Sequence, residues 1–460
     1  MTQPHKSVII SLKVIFTSKE ENIMLKAGFS RVDMTPPFGT PLAGYYEMRY
    51  ADGVLDPIYL NALALNDEEK TIVIITADVL MVRFDVCNIL RDMISERVGI
   101  PADHIMINSL HQHTSLRIGG KVGKGSAVVS DAIYLDLLYR KFCDVAQMAV
   151  DDMADATFSI GVKHATEDIS FVRRYFLKDG RLKTNPGAHT PDEIEGPAAR
   201  SDNDVRLIRF ERADKPEIAL VSFACHPDVI GKTKVSADWP GFVRRFVEAE
   251  HKNTHCILMN GFQGDTNHYN FMIGKEGRGK GYKHSEKMGR VIADTVNLMW
   301  NDTEAQTEYK LYAEMRTVFN KCSTRGEENY AECKEFNDRY RGGDYSVTRT
   351  ASGIELAEAC RIAAIPEQPV YHKIPITVMG LGKVAFFGIG GEPFTEYGYI
   401  AREKMPEKFF ITATCANGGE GYLPSKQAFD QGGYEVISSH FTPSLEEDVL
   451  SASFEMLSKF

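Results

Sequence analysis

The sequence predicts an α/β fold in which a large mixed sheet carries helices on its faces. Short β-branched runs alternate along the chain with segments whose apolar residues recur at helical spacing. Several of the predicted strands also end in a polar residue that can bind metal or substrate: His111, His226, Asp265, Glu392 and Tyr422. Sites of open α/β sheets lie at the carboxyl ends of strands, so we expect these side chains to converge there. The alternative is that polar residues follow strands simply because loops are solvated.

The first half of the chain justifies this fold element by element. Residues 71–78 are β-branched and end in a carboxylate, which is typical of a buried strand. Helical spacing follows over 86–98, and a second apolar run leads to His111, so the three segments predict a strand–helix–strand crossover. Further helices are predicted at 131–154, 239–250 and 283–300, and further strands at 157–162, 206–210, 218–224 and 255–259.

The second half continues the pattern after one interruption. Residues 321–350 are charged and contain glycine without a clear period, and we expect a mobile insertion there. A strand at 384–389, a helix reaching Lys404 and a strand at 409–415 follow. No linker rich in Pro, Gly and Ser divides the chain, so residues 24–460 are predicted to form one domain.

Composition excludes several classes of protein. The 460-residue chain has a formal net charge of −10 and no basic stripe, which argues against nucleic acid as the main partner. Its eight cysteines form no CxxC pair and do not indicate a disulfide framework. No run of 18 uncharged apolar residues occurs, so no transmembrane segment is expected. A soluble protein with a small-molecule or lipid substrate fits this composition, which does not define an oligomeric state.

Residues 1–23 are predicted to be an extension outside the domain. An apolar run at 7–16 is split by Lys13 and lacks a small-residue cleavage site, so it is a weak signal candidate or a disordered segment. The expected location is therefore the cytoplasm, or the periplasm or exterior if this segment acts as a signal.

The most informative stretch is His111-Gln112-His113, directly after the apolar run at 105–107. In a strand, residues i and i+2 face the same side, so both imidazoles are expected to face one pocket. Neutral imidazole is a good zinc ligand that keeps its second nitrogen for an orienting partner. The alternative is a loop that happens to contain two histidines.

The order of short motifs resembles the neutral ceramidase family. Residues 27–37 resemble its G-x-x-x-x-D-I-T-P start, followed by the expected glycine at Gly44. Residues 111–115 resemble T-H-T-H-S, and 224–227 resemble A-x-H-P. Residues 263–265 match Q-G-D, and 391–395 resemble G-E-x-T with one inserted residue. Tyr422 and Tyr434 have the spacing of the family's two tyrosines. These motifs span residues 24 to about 445 in the family's order.

The resemblance implies a zinc-dependent amidohydrolase, with a ceramide-like sphingolipid as the first candidate substrate. It implies four ligands for Zn²⁺: His111, His226, Glu392 and Tyr422. His113 would be the acid–base group, and Arg173 and Tyr434 would stabilise the oxyanion, with Arg174 one residue from the expected register. Gln263, Asp265 and Arg174 are expected to bind substrate.

The chain departs from the family pattern in two places. The serine that follows Gly-Asp in ceramidases is replaced by Thr266, Asn267 and His268, so a serine nucleophile is not supported there. The family's C-terminal β-sandwich-like domain is not found before Phe460. Both departures leave other substrates open, such as a small amide, an ester or a sugar derivative, and they leave open a non-catalytic ligand-binding relative. The expected family is bacterial.

Overall fold

A computed structural model of the chain describes residues 24–120, 127–187 and 189–460. The predicted extension at 1–23 lies outside the described residues. Nine strands form the larger sheet: β1 (Leu25–Asp33), β2 (Tyr59–Asn66), β3 (Thr71–Ala77), β4 (Ile105–Ser109), β5 (Ala154–His164), β6 (Asp204–Arg212), β7 (Glu217–Phe223), β8 (Thr254–Asn260) and β9 (Glu304–Gln306).

The larger sheet is mixed. Its order is β8-β7-β6-β5-β1-β2-β3-β4, with β9 paired to β5. The outermost pairs β3–β4 and β7–β8 are parallel, and the pairs between them are antiparallel. Parallel pairs need crossovers, and α1 (Phe84–Val98) and α3 (Asp238–Glu250) provide them. The predicted strand–helix–strand unit is therefore present.

A second sheet packs face to face against the first. Four strands form it in this order: β10 (Leu311–Lys321), β11 (Tyr371–Leu381), β12 (Val384–Ile389) and β13 (Phe409–Ala413). Successive side chains of a strand point to opposite faces of the sheet, so alternate residues of β2 pack on opposite sides. Leu63 and Leu65 of β2 join Phe386 and Ile411 in the core between the sheets. The neighbouring alanines of β2 face the other way, toward helices.

Helices cover the two outer faces. Beside the larger sheet lie α1, α2 (Ala132–Asp151), α3 and α4 (Tyr282–Met299). Beside the smaller sheet lie α8 (Thr395–Lys404) and α11 (Leu445–Leu457), with α9 (Lys426–Gln431) and α10 (Tyr434–Ser438) between them in sequence. The predicted mixed α/β class is confirmed. The structure has four layers, with helices outside two packed sheets, rather than one sheet with helices on both faces.

The segment 322–370, here called the helical cap, differs from its prediction. Instead of an irregular insertion it contains α5 (Tyr330–Arg341), α6 (Val347–Thr350) and α7 (Gly353–Ala364). The N-terminus of α7 has a capping box, in which Ser352 and Glu355 bond each other's backbone N–H groups. The cap starts and ends at a strand pair, because Lys321 lies opposite Tyr371. It is thus an excursion from the end of the β10–β11 hairpin.

The strand ends bring distant motifs together. Asp78 follows β3, His111 follows β4, His226 follows β7 and Glu392 follows β12. Bridges tie the two sheets together at this end, since Asn108 pairs with Ala416 and the Asn260 carbonyl accepts from Thr414 N at 3.0 Å. The expected position of a site at the carboxyl ends of strands follows from this topology. Among the described residues, no helix is long and apolar enough to cross a membrane.

A buried ion-pair cluster joins the two halves of the molecule and predicts a pH dependence. Asp202 lies 3.2 Å from Arg206 and 3.1 Å from Arg402 of α8. Burial raises the pKa of Asp202, but these guanidinium groups outweigh it and hold the pKa below its ordinary 3.8. The stabilisation is therefore present above about pH 4, the unfolded value, and is lost as pH falls through the folded pKa.

We expect Asp202→Asn to lower the free energy of unfolding at pH 6, and this difference from wild type to shrink as the pH falls below about 4. Urea unfolding at a series of pH values measures it. Asp136→Asn is the control, because Asp136 pairs with Arg140 at an exposed position on α2. A difference for Asp202→Asn that grows on acidification would contradict the assignment.

Candidate metal centre

His111 and His113 lie in the loop after β4, not on a strand. The strand ends at Ser109, and His111 has a φ of 75°, in the left-handed region. The loop is held from both sides, because His111 N donates to the Val79 carbonyl at 2.9 Å and His113 N donates to the Pro227 carbonyl at 3.1 Å. The two imidazoles converge as expected, but a turn rather than strand alternation directs them. That part of the sequence prediction was wrong.

A buried ion pair anchors the same loop from beneath. Arg244 of α3 donates to both oxygens of Asp78, at 2.9 and 2.5 Å, and both side chains are almost fully buried. Gln112, between the two histidines, donates to Asp78 Oδ1 at 3.0 Å. Gln112 therefore points into this pair, which leaves its two neighbours directed toward the opposite side of the loop.

His111 and His226 present equivalent nitrogens to one carboxylate. Each Nδ1 lies 2.9 Å from a backbone carbonyl, that of Leu80 for His111 and that of Gln263 for His226. A carbonyl only accepts, so both Nδ1 atoms carry the proton and both Nε2 atoms are directed elsewhere. Each Nε2 lies 3.2 Å from Glu392 Oε2.

Glu392 is positioned by a close backbone approach. Residues Glu392–Pro393 pair in parallel with Tyr422–Leu423, which sets the predicted ligands Glu392 and Tyr422 side by side. The Gly264 N–H donates to the Pro393 carbonyl at 2.9 Å. A side chain at Gly264 would place its Cβ 2.2 Å from the Glu392 carbonyl oxygen. The glycine of the Q-G-D motif is therefore required by packing against the Glu392 backbone.

His113 completes a group that can hold a metal ion. The ligand atoms of His111, His113 and His226 lie within 4.8 Å of one another, and all three side chains are buried. Both ring nitrogens of His113, Nε2 of His226 and Oε2 of Glu392 make no hydrogen bond within the described part of the chain. An unsatisfied buried polar atom costs about 1–3 kcal/mol, so a cluster of four favours a cation among them. The donor set of imidazole and carboxylate is the set that zinc takes.

The electrostatics of the cluster favour neutral imidazoles beside an anion. Burial raises the pKa of Glu392, but His111 and His226 hold it well below its ordinary range. Burial, followed by Arg173, lowers the pKa of His226 to about 3, and burial and His111 lower that of His113. His111 is the exception, since Glu392 outweighs burial and raises its pKa to about 10. Metal binding at this centre would displace that proton.

Arg173, Tyr422 and Tyr434 lie next to one another beside the histidines. The Arg173 guanidinium lies 5.2 Å from the ring centroid of Tyr422, and its Nε donates to Glu435 at 2.6 Å. The Tyr422 ring lies 5.8 Å from that of Tyr434. Burial raises the pKa of Tyr434, which therefore stays a protonated donor. Arg173, rather than Arg174, has the position beside Tyr422.

The three residues expected to bind substrate make contacts within the protein. Arg174 donates to the Gly432 carbonyl at 2.7 Å and lies 5.3 Å from the Phe394 ring. Asp265 accepts from the Thr395 N–H at 2.8 Å. Gln263 contributes its backbone carbonyl to His226, as described above. These contacts hold the loops of the site, and a role toward substrate stays a prediction for all three.

Two neighbours of His113 were not predicted to lie beside it: Asp228, which was not singled out, and Gly44, which was expected only as a family glycine. Asp228 Oδ1 lies 3.6 Å from His113 Nδ1 and is bonded by the Tyr45 hydroxyl. Burial raises the pKa of Asp228 to about 8. Gly44 has a φ of 106°, and a Cβ there would lie 2.7 Å from His113 Cγ. Asp228 follows His226-Pro227 by one residue, which is the only trace of it in a motif.

Neither a protein-family model nor a curated protein sequence matches the chain. Solved structures do match. The crystal structure of neutral ceramidase from Pseudomonas aeruginosa superposes with a TM-score of 0.71 over 95% of this chain and 74% of that one, at 13% identity. The fold is that of neutral ceramidase. A ceramidase complexed with C2 gives a TM-score of 0.69 at 13% identity, over 95% of this chain and 75% of that one. The resemblance to the neutral ceramidases is thereby confirmed in the fold.

Proposed function

We propose that this protein is a zinc-dependent hydrolase that cleaves an amide bond. The observation that carries the proposal is the convergence of His111 Nε2 and His226 Nε2 on Glu392 Oε2, each at 3.2 Å, with His113 in the same buried group. A cavity of about 260 Å³ has three of these residues in its wall: His111, His113 and Glu392. An accessible centre supports catalysis over a purely structural metal site. The ceramidase fold supports the reaction class by analogy.

We assign His111, His226, Glu392 and Tyr422 to hold the zinc ion. Zinc in such a site supplies a water molecule that is deprotonated near neutral pH and polarises a carbonyl group. His113 is neutral near pH 7, because burial and His111 lower its pKa, so it can accept a proton from the attacking water. It would return that proton to the amide nitrogen as the C–N bond breaks.

Arg173 and Tyr434 are assigned to the oxyanion. Arg173 is fixed by Glu435 and by the Gly264 carbonyl, to which its Nη2 donates at 3.0 Å. The Tyr434 hydroxyl lies 3.2 Å from the Tyr46 hydroxyl, and both tyrosines line the cavity. Preorganised donors of this kind are each worth roughly 10²–10³-fold in rate.

Metal analysis combined with hydrolysis tests the proposal. Purified protein is expected to contain one zinc ion per chain, to lose hydrolysis on chelation and to regain it with zinc. N-acylsphingosine, the first candidate, should be compared with a short-chain amide. Protein that neither contains nor responds to zinc would overturn the proposal. Zinc binding without hydrolysis of any amide would instead favour the non-catalytic ligand-binding alternative.

The tight contact at Gly44 predicts an activity variant. Gly44→Ala should push His113 out of position, because the new Cβ would lie 2.7 Å from its Cγ and 2.9 Å from its Cα. A displacement of this order can lower the rate about 10²-fold. We therefore expect kcat/KM for the amide to fall at least about tenfold, while zinc content is retained.

Gly39→Ala is the matched control for Gly44→Ala. Gly39 also has a positive φ, of 84°, but a Cβ there meets no atom within 4 Å. Both variants suffer the same kind of backbone strain, and only one touches His113. Equal losses of kcat/KM in the two variants would refute a steric effect on His113.

A further inference from the structure

The cavity above the candidate metal centre is small. Its volume is about 260 Å³, whereas pockets for drug-sized ligands span about 300–1,000 Å³. Part of its wall comes from the helical cap, which contributes Tyr340, Arg341 and Cys360. A substrate with two long hydrocarbon chains would extend beyond this space, whereas a small amide would fit within it.

A network of tyrosines closes the cavity on the cap side. Tyr340 of α5 is buried, and its hydroxyl donates to the Tyr46 carbonyl at 2.7 Å. The rings of Tyr46 and Tyr340 meet edge to face, with centroids 6.3 Å apart. The Tyr46 hydroxyl in turn lies 3.2 Å from that of Tyr434. The cap is therefore linked through Tyr46 to the proposed oxyanion donor Tyr434, and a substrate that extends toward the cap would have to break these contacts.

The charge on the remaining wall is positive. Apart from the candidate metal-binding residues, Arg117 and Arg341 are the charged side chains among the described residues that line the cavity. Arg117 lies just after the histidine loop, in a short strand that pairs in parallel with a strand containing Met81. Met81 also lines the cavity. Its Nε is buried and makes no hydrogen bond within the described part of the chain.

Within the described residues, no carboxylate forms an ion pair with Arg117. Burial, followed by the like charges of Arg83 and Arg341, lowers its pKa to about 10. The negative charge of Glu420 raises the pKa of Arg117, but Glu420 forms its ion pair with Arg83, at 3.2 Å. A half-buried guanidinium near two others is costly unless an anion compensates it. Arginine binds carboxylates through two parallel N–H donors, which makes a carboxylate the matching ligand group.

Resting on the proposed hydrolase, we propose that the substrate is a small amide that carries a carboxylate, and that Arg117 with Arg341 binds this carboxylate. The reaction adds water across the amide. The C–N bond breaks, a C–O bond forms to the acyl carbon, and the proton released from water goes to the departing nitrogen. The products are a carboxylic acid and an amine, one of which keeps the carboxylate that the arginines hold. Arg117 is thus a specificity-determining residue rather than a catalytic one.

Matched substrates that differ only in charge test this inference. The zinc-loaded full chain is assayed with N-benzoylglycine and with N-benzoylglycinamide, and likewise with succinanilic acid and its carboxamide, which place the carboxylate on the acyl side. A charge-assisted pair contributes about 1.5–3 kcal/mol, so we expect one of the acids to exceed its carboxamide in kcat/KM by at least about tenfold. Arg117→Gln should reduce this ratio to about threefold or less, and Arg117→Lys should retain part of it.

The control for these variants is Arg316→Gln, because Arg316 lies on β10 and pairs with Glu314 and Glu455 near the surface. Its substrate ratio should equal that of wild type. Equal or better hydrolysis of both carboxamides, an unchanged ratio in Arg117→Gln, or preference for N-acylsphingosine over both acids would each overturn the inference and leave the hydrolase standing.

Calorimetric binding of N-benzoylglycine, succinanilic acid and the two carboxamides separates the two proposals. An acid that binds more tightly than its carboxamide, and loses this advantage in Arg117→Gln, would support the anion site even if no amide is hydrolysed. In that case the proposal of a hydrolase is rejected and the proposal of a carboxylate site is supported. Absence of any difference between the acids and their carboxamides, together with no charge preference in hydrolysis, would refute the carboxylate site.

Discussion

Replacement of His226 by alanine is expected to abolish zinc binding and lower kcat/KM for the amide by at least about 10³-fold. The side chain is fully buried, its Nδ1 is bonded to the Gln263 carbonyl, and its Nε2 is directed at Glu392. A metal ion in a hydrolytic site contributes several kcal/mol to the transition state, which corresponds to a loss of this size.

Zinc content by elemental analysis and kcat/KM should be measured on the same preparation of the His226→Ala protein, with its secondary structure checked by circular dichroism. His164→Ala is the control, since His164 is exposed and paired with Asp168 and Asp204, at 2.9 and 3.1 Å. It should keep both zinc and activity. A folded His226→Ala protein with full zinc content would show that His226 is not a ligand.

The second large effect is expected from Arg244→Met, through stability. Removal of Arg244 leaves Asp78 buried without its ion partner, and breaking a buried pair in this way costs about 3–5 kcal/mol. Because Gln112 is bonded to the same carboxylate, the histidine loop should also loosen. We expect zinc affinity to fall by about 10–100-fold, as is typical for groups that orient ligands.

Urea unfolding measures the stability effect, and Arg97→Met is the matched control. Arg97 pairs with Asp144 at 2.9 Å on the surface, where both side chains are 45% exposed. Its loss should cost no more than about 1 kcal/mol. The double variant Asp78→Asn with Arg244→Met should recover part of the stability, since no unpaired charge then remains buried. Equal effects of Arg244→Met and Arg97→Met would contradict this account.

Local pattern explains why much of the fold was predictable. The β-branched run at Thr71–Ala77, the apolar run at Ile105–Ser109 and the helical spacing of α1 between them depend only on neighbouring residues. The second sheet was harder. Its long strand Tyr371–Leu381 contains a proline, and its position opposite the first sheet depends on contacts between distant residues. The helical cap was missed although its S-x-x-E capping box at 352–355 is visible in the sequence.

The site was predictable from motifs only in part. The motifs brought His111, His226 and Glu392 together, and the fold places them within hydrogen-bonding range. The direction of His111 was not predictable, because it depends on a left-handed residue in a turn. Arg244 and Arg117 were also missed. An arginine in an amphipathic helix or after a loop carries no local sign that it will meet a buried carboxylate or a cavity. The separate roles of the site residues stay predictions.

The position of the helical cap has a consequence for engineering and for evolution. Its two ends leave the hairpin at adjacent paired residues, Lys321 and Tyr371, while the proposed zinc-binding residues come from other loops. The cap could therefore be replaced by a tight turn, or by a segment of different length, without cutting the strands that support the histidines. The part of the cavity wall that the cap supplies is thus separate in sequence from the proposed zinc-binding residues and from Arg117, so related chains could acquire different pocket shapes by exchanging this one segment. A library built only within residues 322–370 would sample pocket shapes while leaving the proposed zinc-binding residues unchanged.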